Sequence, residues 1–422
     1  MGLLSIASIL REHGFNVSYI DCLDRFHENA PKTDPKAGNG RGPFLKVRIP
    51  KPKGLEDVPR NYCRYGIKIK WFKEDLLSIQ KPDLIFITSL MTYWYPGVKE
   101  TIKIVKEIFP DVPVILGGIY ASLCTEHANQ HSGADIVVAE RGEDAILKLA
   151  GEHTGYFPTY RFNSNDLNSR PYPAFDLQKK ITYIPLLTSK GCPFSCAYCA
   201  SYFLDPRRMR RDAKSVVKEI KFWHEKYDVI DFAFYDDALL VDAKKHAIPM
   251  LEEIIRVGLK VRFHTPNAVH IREISKEIAC LMFQAGFKTL RLGLETAMFD
   301  LRSDMDTKVR VEEFKEAVIR LKDAGFNKEQ IGAYLLVGLP GQPISSMEYS
   351  IKEVRRREIT PVLAYYSPIP HTRMWSKAVA SSRYDLKSDP VFTNNAIFPC
   401  RKDNFSWEKI SYLKDLAAGG RN

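Results

Sequence analysis

The sequence predicts an α/β protein with two successive parallel-sheet domains: a Rossmann-like, doubly wound domain and then a partial barrel of six strand–helix units. Two observations support this fold class. Continuous apolar stretches, typical of strands buried on both faces, alternate with amphipathic helical patterns along most of the 422 residues. The alternation stops once, where Gly, Asn, Ser and Pro occur without a sustained period. We therefore predict domains at 1–150 and 181–375, a linker at 151–180 and a C-terminal extension at 376–422.

The first domain opens with a helical pattern at 3–13, which ends at Gly14. Strand-like stretches are predicted next, at 15–23, 83–90, 112–118 and 135–139. In open parallel sheets, ligands bind beyond the carboxyl ends of the strands. These ends predict a binding site near Asp21, Ser89–Tyr95 and the turn at Gly117 and Gly118, where adjacent glycines let a ligand approach the backbone closely.

An insertion rich in Pro, Gly, Lys and Arg occupies residues 27–70. Its polarity predicts that it builds no core of its own. It ends in Pro59–Gly66, where arginines and tyrosines alternate. Because long loops in compact domains are often functional, one interpretation is a lid that helps to recognise substrate. The other interpretation is a surface excursion packed on the edge of the sheet.

Six strand-like stretches follow the linker, separated by helical patterns. They are predicted near 183–190, 231–236, 261–266, 289–295, 331–338 and 362–368. Repeated strand–helix units form a parallel barrel, and six units are fewer than the eight of a closed one. A last amphipathic helix, around Trp407–Leu416, is predicted to close the barrel or to pack against a partner.

Three cysteines lie on one short loop directly after the first of these strands. Cys192, Cys196 and Cys199 have the spacing C-x-x-x-C-x-x-C. Iron–sulfur clusters are usually held by four Cys thiolates, so a set of three predicts a cubane cluster with one iron left open. The alternatives are a zinc ion with a distant fourth ligand, or three buried thiols.

This loop, at the start of a six-unit barrel, resembles the signature loop of the radical S-adenosylmethionine (radical SAM) superfamily. The resemblance implies a [4Fe–4S] cluster held by Cys192, Cys196 and Cys199. It also implies S-adenosylmethionine (SAM) chelated to the open iron through its amino and carboxylate groups. An electron from the cluster then cleaves SAM to a 5′-deoxyadenosyl radical, which abstracts hydrogen from a substrate.

The resemblance also implies cofactor contacts at the carboxyl ends of the strands. Tyr198 resembles the aromatic residue that lies beside the adenine. Asp236 and Asp237 resemble the acidic pair that holds the SAM amino group, which carboxylates suit by charge-assisted hydrogen bonding. Asp237 is also a candidate helix N-cap. Glu295, in a segment similar to G-x-E-[ST], would bind the ribose hydroxyls or the amino group.

The last two strands end in turns similar to the family's G-L-P-G-E and S-P-x-P-G-T segments. Gly338 of the first turn, and Pro368 and Ile369 of the second, are therefore predicted to contact SAM. Gln342 takes the acidic place in the first turn, which weakens any role for its side chain. His371 takes the glycine place in the second, so it is a candidate substrate contact.

In the first domain, Leu116–Ala121 and Ala139–Glu143 resemble two ligand-facing turns of the cobalamin-binding class of radical SAM proteins. This implies cobalamin near Ser89, Gly117 and Gly118. It further implies methyl transfer from methylcobalamin to a substrate radical, with SAM as both radical source and methyl donor. The family's strand before the first helix is not found in this sequence. No Asp-x-His-x-x-Gly occurs either, so we expect no histidine ligand on the lower face of cobalamin.

Three other functions stay open from the sequence. The first domain could recognise substrate without cobalamin in an otherwise ordinary radical SAM enzyme. A methylthiotransferase-like enzyme would hold a second cluster, for which Cys22, Cys63 and Cys124 are available. A degenerate protein could bind SAM or cobalamin without catalysis.

Composition and charge indicate where the protein acts and which kinds of partner it has. Charged residues make up 27% of the chain, and no apolar run approaches the roughly 18 to 20 residues that span a bilayer. We expect a cytoplasmic enzyme without a secretory signal, since eight cysteines with three in a cluster loop fit a reducing compartment. The net charge of +11 is spread out, except for an arginine run at 207–211, so we do not expect a nucleic acid partner. A small-molecule or peptide substrate and a reductant such as flavodoxin or ferredoxin are the predicted partners.

Overall fold

The computed structural model describes residues 1–31, 42–140, 142–302, 305–306, 308–401 and 405–420. Within them the chain forms two compact units. The N-terminal unit consists of Met1–Tyr183 and a later segment, Leu386–Thr393. The barrel unit consists of Ile184–Asp385 and the residues from Asn394 onward.

The N-terminal unit is built around a parallel sheet. Its helices are α1 (Gly2–Glu12), α2 (Ile69–Ser78), α3 (Tyr95–Ile108), α4 (Ile119–Leu123), α5 (Thr125–His131) and α6 (Gly142–Thr154). Its strands are β1 (Lys46–Arg48), β2 (Cys63–Tyr65), β3 (Ile85–Ser89), β4 (Val114–Gly118) and β5 (Ile136–Val137). Strands β3, β4 and β5 are adjacent and parallel, with Ile85 opposite Val114 and Ile115 opposite Ile136.

Both faces of this sheet are covered, as a doubly wound fold requires. Ile85 and Ile87 pack into a core shared with α2 and α3. Phe86, between them in the sequence, packs instead against a cluster from α1 and α6. Alternate residues of β3 therefore enter opposite cores, and the predicted doubly wound arrangement is confirmed.

The predicted strand at 15–23 is wrong, because the structure has no strand there. A strand needs a neighbour that satisfies its backbone groups. Here the Cys22 carbonyl accepts from the Ile67 amide at 2.9 Å in a loop contact. Phe15 and Val17 pack against the cluster of α1 and α6 instead, so their apolar side chains are partly buried without strand pairing.

The insertion forms a β-hairpin in which β1 and β2 pair antiparallel. Its residues 32–41 lie outside the described residues. Leu55 and Val58 are buried, at 2% and 4% exposure, so the segment contributes to a core and the prediction that it builds none is wrong there. Pro59–Gly66 supplies the second strand and the turn after it, which gives its alternation of arginine and tyrosine a structural use.

The barrel unit contains a sheet of six parallel strands in the order β13-β12-β11-β10-β9-β6. These strands are β6 (Ile184–Leu186), β9 (Asp231–Phe234), β10 (Arg262–His264), β11 (Phe287–Glu295), β12 (Ile331–Val337) and β13 (Thr360–Tyr365). The helices are α7 (Ser201–Leu204), α8 (Ala213–Tyr227), α9 (Ala247–Val257), α10 (Lys276–Gln284), α11 (Val311–Asp323), α12 (Ile344–Arg356), α13 (Trp375–Ser381) and α14 (Trp407–Ala418). The strands follow one another along the sheet in chain order, so the predicted six-unit partial barrel is confirmed.

The first predicted barrel strand, 183–190, is interrupted. Its second half, β7 (Ser189–Lys190), leaves the main sheet and pairs antiparallel with β8 (Met209–Arg210). Thr188 turns inward at the break, where its amide and hydroxyl both donate to Asp236. The chain is thus redirected immediately before the cysteine loop.

The final helix closes the barrel unit. Ile410, Leu413 and Leu416 of α14 are buried, and α14 packs on α12 and β13. The Arg355 guanidinium of α12 donates to the Leu416 carbonyl at 2.7 Å. In the described part of the chain, no helix has both the length and the apolar character needed to cross a membrane.

Candidate active site

A cavity of about 310 Å³ lies at the carboxyl ends of the barrel strands. All three cysteines of the C-x-x-x-C-x-x-C loop line it. Polar side chains from the following strand ends share the lining, among them Asp237, Asn267, His270, Glu295 and Lys308. The strand ends thus bring together the cysteine ligands and charged groups of both signs, as the barrel topology predicts.

The cysteine loop is held in place by backbone contacts. Gly191 begins it with a φ of +79°, and a Cβ there would lie 2.8 Å from the Arg207 carbonyl. The Ala197 amide donates to the Met305 carbonyl at 2.8 Å, and the Met374 amide donates to the Ala197 carbonyl at 2.8 Å. Only glycine fits at the start of the loop, since a side chain would meet both an unfavourable φ and the neighbouring backbone.

Burial raises the pKa of the Cys192 thiol and raises that of Cys196 to about 11. The positive charge of Lys308 opposes this effect on both residues. Metals bind the thiolate, so the cation favours the form that a metal site needs.

The donor set fits a cluster. Among the described residues, no three Cys, His, Asp or Glu side chains converge closely enough to hold one metal ion. An iron–sulfur cubane makes a different demand, because each thiolate binds a different iron and the cysteines must surround a space. Three cysteines around one cavity meet that demand.

A buried ion pair lies beside the cysteines. The Lys308 ammonium donates to the Glu295 carboxylate at 2.7 Å, and both side chains are about nine-tenths buried. Lys308 also lies over the Tyr198 ring, 5.6 Å from its centroid. Burial alone would lower the pKa of Lys308, but the charges of Glu295 and Cys196 raise it above its ordinary value. Lys308 is therefore a fixed cation in the cavity.

Lys308 is not among the site residues that the sequence predicts. From the sequence, the Glu295 carboxylate is expected to find its partner in bound SAM. A signal was present, because a buried carboxylate needs a partner in the protein as well. The loop after β11 offers Lys308 thirteen residues later. The backbone of Glu295 has a φ of +62°, an uncommon conformation for a residue with a side chain.

The two adjacent aspartates have different surroundings. Asp237 lines the cavity, where burial raises its pKa to about 6, with a further contribution from the charge of Asp205. Asp236 is not among the lining residues; it accepts hydrogen bonds from Thr188 and Ser189 at 2.7 Å. The predicted N-cap role of Asp237 is wrong, because the next helical turn begins after Asp242.

The turns after the last two strands lie outside the cavity lining. Gly338 has a φ of +89°, and a Cβ there would lie 3.1 Å from the Phe398 ring. Gln342 caps the same turn: its side-chain oxygen accepts from the Gly338 amide at 2.8 Å, and its amide group donates to the Leu336 carbonyl at 2.8 Å. Pro368 is buried and Ile369 is half-buried. Their predicted contacts with SAM stay predictions.

His371 is exposed rather than buried in the cavity. Its ring stacks on Phe203 at 4.2 Å between centroids, with the two planes parallel. The backbone φ of +66° agrees with the glycine that the family has at this place. The arginine run also has structural partners: Arg208 and Arg210 contact Asp242, and Arg211 contacts Glu219.

His270 is a second residue that the sequence did not single out. It lines the cavity, is 8% exposed and stacks on Phe194 of the cysteine loop at 4.8 Å. Its Nε2 lies 3.9 Å from the Cys192 sulfur. No periodic or motif signal in the sequence marks His270, because it follows the strand β10 by six residues in an irregular segment.

In the N-terminal unit, the predicted ligand-facing residues meet at the carboxyl ends of β3 and β4. Ser89 is opposite Gly118 in the parallel register. Gly118 has a φ of +87°, and a Cβ there would lie 2.2 Å from the Thr88 hydroxyl. A Cβ on Gly117 would meet only the Val138 carbonyl at 4.0 Å, so the space around it is open.

Apolar side chains continue this surface. Leu90, Met91 and Trp94 follow β3 and are 56%, 37% and 43% exposed. Such a patch beside an open glycine fits a broad, flat ligand. Arg141, in the predicted turn Ala139–Glu143, lies outside the described residues.

Three histidines of the N-terminal unit are engaged in its interior contacts. His13 bonds to the Ile9 carbonyl at 2.7 Å and accepts from the Arg161 amide at 3.0 Å. His27 stacks on Trp71 at 4.9 Å, and His127 bonds to the Tyr120 hydroxyl at 2.7 Å. The absence of a histidine ligand on the lower face of cobalamin stays a prediction.

The cysteines proposed for a second cluster have other surroundings. Cys22 and Cys124 pack against the hydrophobic core of the N-terminal unit. Burial raises their pKa values to about 11 and about 12. Cys63 lies on the hairpin strand β2. This packing accounts for Cys22 and Cys124 as buried thiols and lends the methylthiotransferase-like alternative no support.

Comparison with known proteins identifies both domains. Residues 186–354 match the radical SAM superfamily. Residues 74–150 match the B12 binding domain. The first range contains the cysteine loop, Asp237, His270, Glu295 and Lys308, and the second contains the β3–β4 edge.

Curated relatives are distant in sequence. An uncharacterised methyltransferase from Pyrococcus horikoshii is 25% identical, over 79% of this chain and 77% of that protein. An anaerobic magnesium-protoporphyrin IX monomethyl ester cyclase from Rubrivivax gelatinosus is 27% identical, over 71% of this chain. The chain spans 59% of the length of that cyclase.

Two solved structures share the fold. The radical SAM methyltransferase TsrM from Kitasatospora setae, with tryptophan and a SAM analogue bound, has a TM-score of 0.63 at 16% identity, covering 78% of this chain and 74% of TsrM. The cobalamin-dependent radical SAM enzyme OxsB has a TM-score of 0.54 at 14% identity, covering 83% of this chain and 55% of OxsB.

The two matched domains imply a [4Fe–4S] cluster, SAM and cobalamin as the cofactors. The cysteine cavity and the exposed edge of the N-terminal sheet lie within those domains. Together these findings confirm the resemblance inferred from the motifs. The chain is a radical SAM enzyme with a radical SAM domain at residues 186–354 and a B12 binding domain at residues 74–150.

Proposed function

We propose that this chain is a cobalamin-dependent radical SAM methyltransferase that methylates a carbon atom of its substrate. One observation carries the proposal. A single chain combines a cavity lined by three cysteines and a buried Lys308–Glu295 pair with a separate B12 binding domain. A cluster loop alone would support only radical chemistry, whereas the second domain supplies the site for a methyl carrier.

Each side chain of the cavity has a role in this proposal. Cys192, Cys196 and Cys199 hold the cluster as thiolates. When bound, the cluster and SAM would supply radical chemistry for hydrogen abstraction from the substrate. Asp237 accepts a hydrogen bond from the SAM amino group, and Lys308 neutralises the SAM carboxylate while it retains its contact with Glu295.

The N-terminal unit holds cobalamin in this proposal. The open space at Gly117 admits a ligand against the backbone, and Ser89 lies at the same edge. Leu90, Met91 and Trp94 offer exposed apolar surface to a macrocycle. The histidine contacts described above favour binding without a histidine ligand to cobalt.

The names of the relatives support methyl transfer more than other outcomes. Besides the protein from Pyrococcus horikoshii, a cytidylyl-2-hydroxyethylphosphonate methyltransferase from Streptomyces wedmorensis is 21% identical over 83% of this chain. The cyclase from Rubrivivax gelatinosus favours the second candidate, a radical SAM reaction whose product gains no methyl group. A reductant of the flavodoxin or ferredoxin type is part of both proposals.

The first experiment is anaerobic reconstitution with iron and sulfide, followed by hydroxocobalamin and gel filtration. We expect about four irons and one base-off cobalamin per chain. The Cys192→Ala/Cys196→Ala/Cys199→Ala variant should lose the iron and keep the cobalamin, which matches each cofactor to its domain. With reductant and SAM labelled in its methyl group, the label should then appear on protein-bound cobalamin.

Two outcomes would change the conclusion. An intact cluster that forms 5′-deoxyadenosine without retaining cobalamin would establish the second candidate, with the first domain as a recognition module. About eight irons per chain would establish the methylthiotransferase-like alternative.

A further inference from the structure

His270 occupies a defined place beside the cysteine loop. Its backbone follows Val269, which forms a parallel bridge to Leu292 of β11. Its ring stacks on Phe194 at 4.8 Å with an interplanar angle of 25°, and Phe194 lies between two of the cysteines in the sequence. The imidazole is therefore fixed from both sides, by the barrel sheet and by the loop.

The two ring nitrogens of His270 have different surroundings. Nε2 faces the Cys192 sulfur at 3.9 Å, which is the outer limit of contact with a sulfur acceptor. Nδ1 is buried and finds no hydrogen-bond partner among the described residues. A neutral imidazole carries one N–H, and placing it on Nδ1 would leave a buried donor unpaired.

The proton on Nε2 avoids this cost, because the sulfur can accept it. A thiolate is a better acceptor than a thiol, and Cys192 is a thiolate when it binds iron. The contact with Cys192 is thus one that cluster binding strengthens.

We propose that His270 donates an N–H···S hydrogen bond to the Cys192 thiolate and so raises the reduction potential of the cluster. The inference rests on the proposed function, because it requires the cluster. Reduction adds negative charge to the cluster, and a donor beside a ligand sulfur stabilises the more negative state. His270 is a positioning residue that acts through a ligand.

Two substitutions separate the hydrogen bond from packing. His270→Phe keeps an aromatic ring for the stack on Phe194 but has no donor. His270→Gln loses the ring but keeps an N–H group of similar reach. The potential is measured by EPR-monitored redox titration of the reconstituted protein without SAM, so the readout does not depend on turnover.

We expect the midpoint potential of His270→Phe to move to a more negative value and that of His270→Gln to stay close to the unsubstituted protein. If His270→Phe instead keeps the midpoint potential of the unsubstituted protein and His270→Gln shifts it, His270 acts by packing and the proposal is overturned. Equal potentials in all three proteins would overturn it too. Failure of the unsubstituted protein to bind a cluster would instead refute the proposed function.

A spectroscopic measurement on the unsubstituted protein covers the case in which a variant fails to fold. With histidine labelled by ¹⁵N, pulsed EPR of the reduced cluster should show a weak ¹⁵N coupling before SAM is added. Because His246, His264 and His371 also belong to the barrel unit, the coupling is assigned to His270 by its loss in whichever of His270→Phe and His270→Gln folds. No ¹⁵N coupling would rule out a hydrogen bond to the cluster ligand.

Discussion

Lys308 and Glu295 form an ion pair that is buried at the edge of the cavity. Removing one partner of such a pair leaves an uncompensated charge in a low-dielectric site, which costs about 3 to 5 kcal/mol. We therefore expect Lys308→Met to lower the free energy of unfolding of the barrel unit by about 3 kcal/mol. Urea denaturation of the apoprotein measures the change.

Two controls isolate the buried charge. The Glu295→Gln/Lys308→Met double variant should recover much of the loss, since neither charge is then left alone. Lys73→Met, in the half-exposed pair with Glu107 at 3.1 Å, should cost less than about 1 kcal/mol. Equal effects of the two lysine substitutions would contradict the role given to burial.

Asp237 gives the barrel unit a pH dependence. Burial raises its pKa from 3.8 to about 6 in the folded state, so the folded protein holds this proton more tightly than the unfolded chain. Below pH about 4 the protonated carboxyl therefore does not lower the free energy of unfolding. The destabilisation by the buried carboxylate grows as the pH rises and is complete above pH about 6. We expect Asp237→Asn to stabilise the apoprotein by on the order of 2 kcal/mol at pH 7 and by about a third of that at pH 4.5. Parallel urea titrations at the two pH values test this, and a gain that is constant with pH would refute it.

The sequence could identify some site residues and not others. The three cysteines follow from a local spacing, and Asp237 and Glu295 follow from strand ends. Lys308 and His270 required the fold, because each is placed by a loop that no periodicity describes. Asp236 shows the reverse case: it adjoins Asp237 in the sequence, yet its side chain serves the turn at Thr188.

At the scale of elements, the β3–β4 edge depends on one glycine. Gly118 combines a φ of +87° with a neighbour 2.2 Å from any Cβ. Gly118→Ala should therefore destabilise the N-terminal unit by about 2 kcal/mol or more, from the left-handed conformation and the clash with Thr88. Gly117→Ala is the matched control and should cost less than about 1 kcal/mol, since its Cβ has room. Thermal denaturation compares them, and similar losses would show that the edge tolerates a side chain at Gly118.

The turn after β12 uses an amide where the family has a carboxylate. Gln342 both accepts from the Gly338 amide and donates to the Leu336 carbonyl. Gln342→Glu keeps the acceptor, loses the donor and brings two oxygens together, which should cost about 1 to 3 kcal/mol. Gln342→Ala loses both hydrogen bonds without the repulsion, so a smaller loss for Ala than for Glu would identify the repulsion as the main effect. A Glu variant as stable as the unsubstituted protein would contradict this account.

Elements with a strong period were predicted and those that depend on pairing were not. The strands β3, β4 and β9 to β13 are apolar stretches bounded by turns, and the structure has all of them. Residues 15–23 have the same composition but lack a neighbouring strand. The hairpin of the insertion is not predicted from the sequence, because its two strands are short and polar. Neither strand has a pattern that shows its pairing with the other.

At the scale of the whole molecule, the chain returns to its first unit near its end. Leu386–Thr393 belongs to the N-terminal unit, where the Tyr95 hydroxyl donates to Asp389 at 2.7 Å. The hydroxyls of Thr92 and Thr393 lie 2.9 Å apart in a buried contact, and Val391 is 1% exposed. The sequence instead predicts that this segment is part of a single extension at 376–422, since eight residues are too few to show a composition of their own.

This return predicts a unit-specific loss of stability. Replacing Asp389–Thr393 by Gly and Ser residues removes these hydrogen bonds and the buried Val391, which together should cost the N-terminal unit about 3 kcal/mol. Hydrogen exchange followed by mass spectrometry should show faster exchange in peptides from α3 and β4 and unchanged exchange in β11 and β12. Faster exchange in the barrel peptides, or an unchanged exchange rate in α3, would contradict the assignment of Leu386–Thr393 to the N-terminal unit.

The same segment sets the order in which the protein is completed during synthesis. Domains encoded first usually fold first, at a translation rate of about 5 to 20 residues per second. Here the N-terminal unit lacks its last piece until roughly 200 residues after Tyr183 have been made, a delay of about 10 to 40 s. The barrel sheet, whose last strand ends at Tyr365, is synthesised in full before that piece emerges. A complete N-terminal unit therefore becomes available only after all six strands of the barrel sheet have been synthesised, and the closing helix α14 of the barrel unit follows later still.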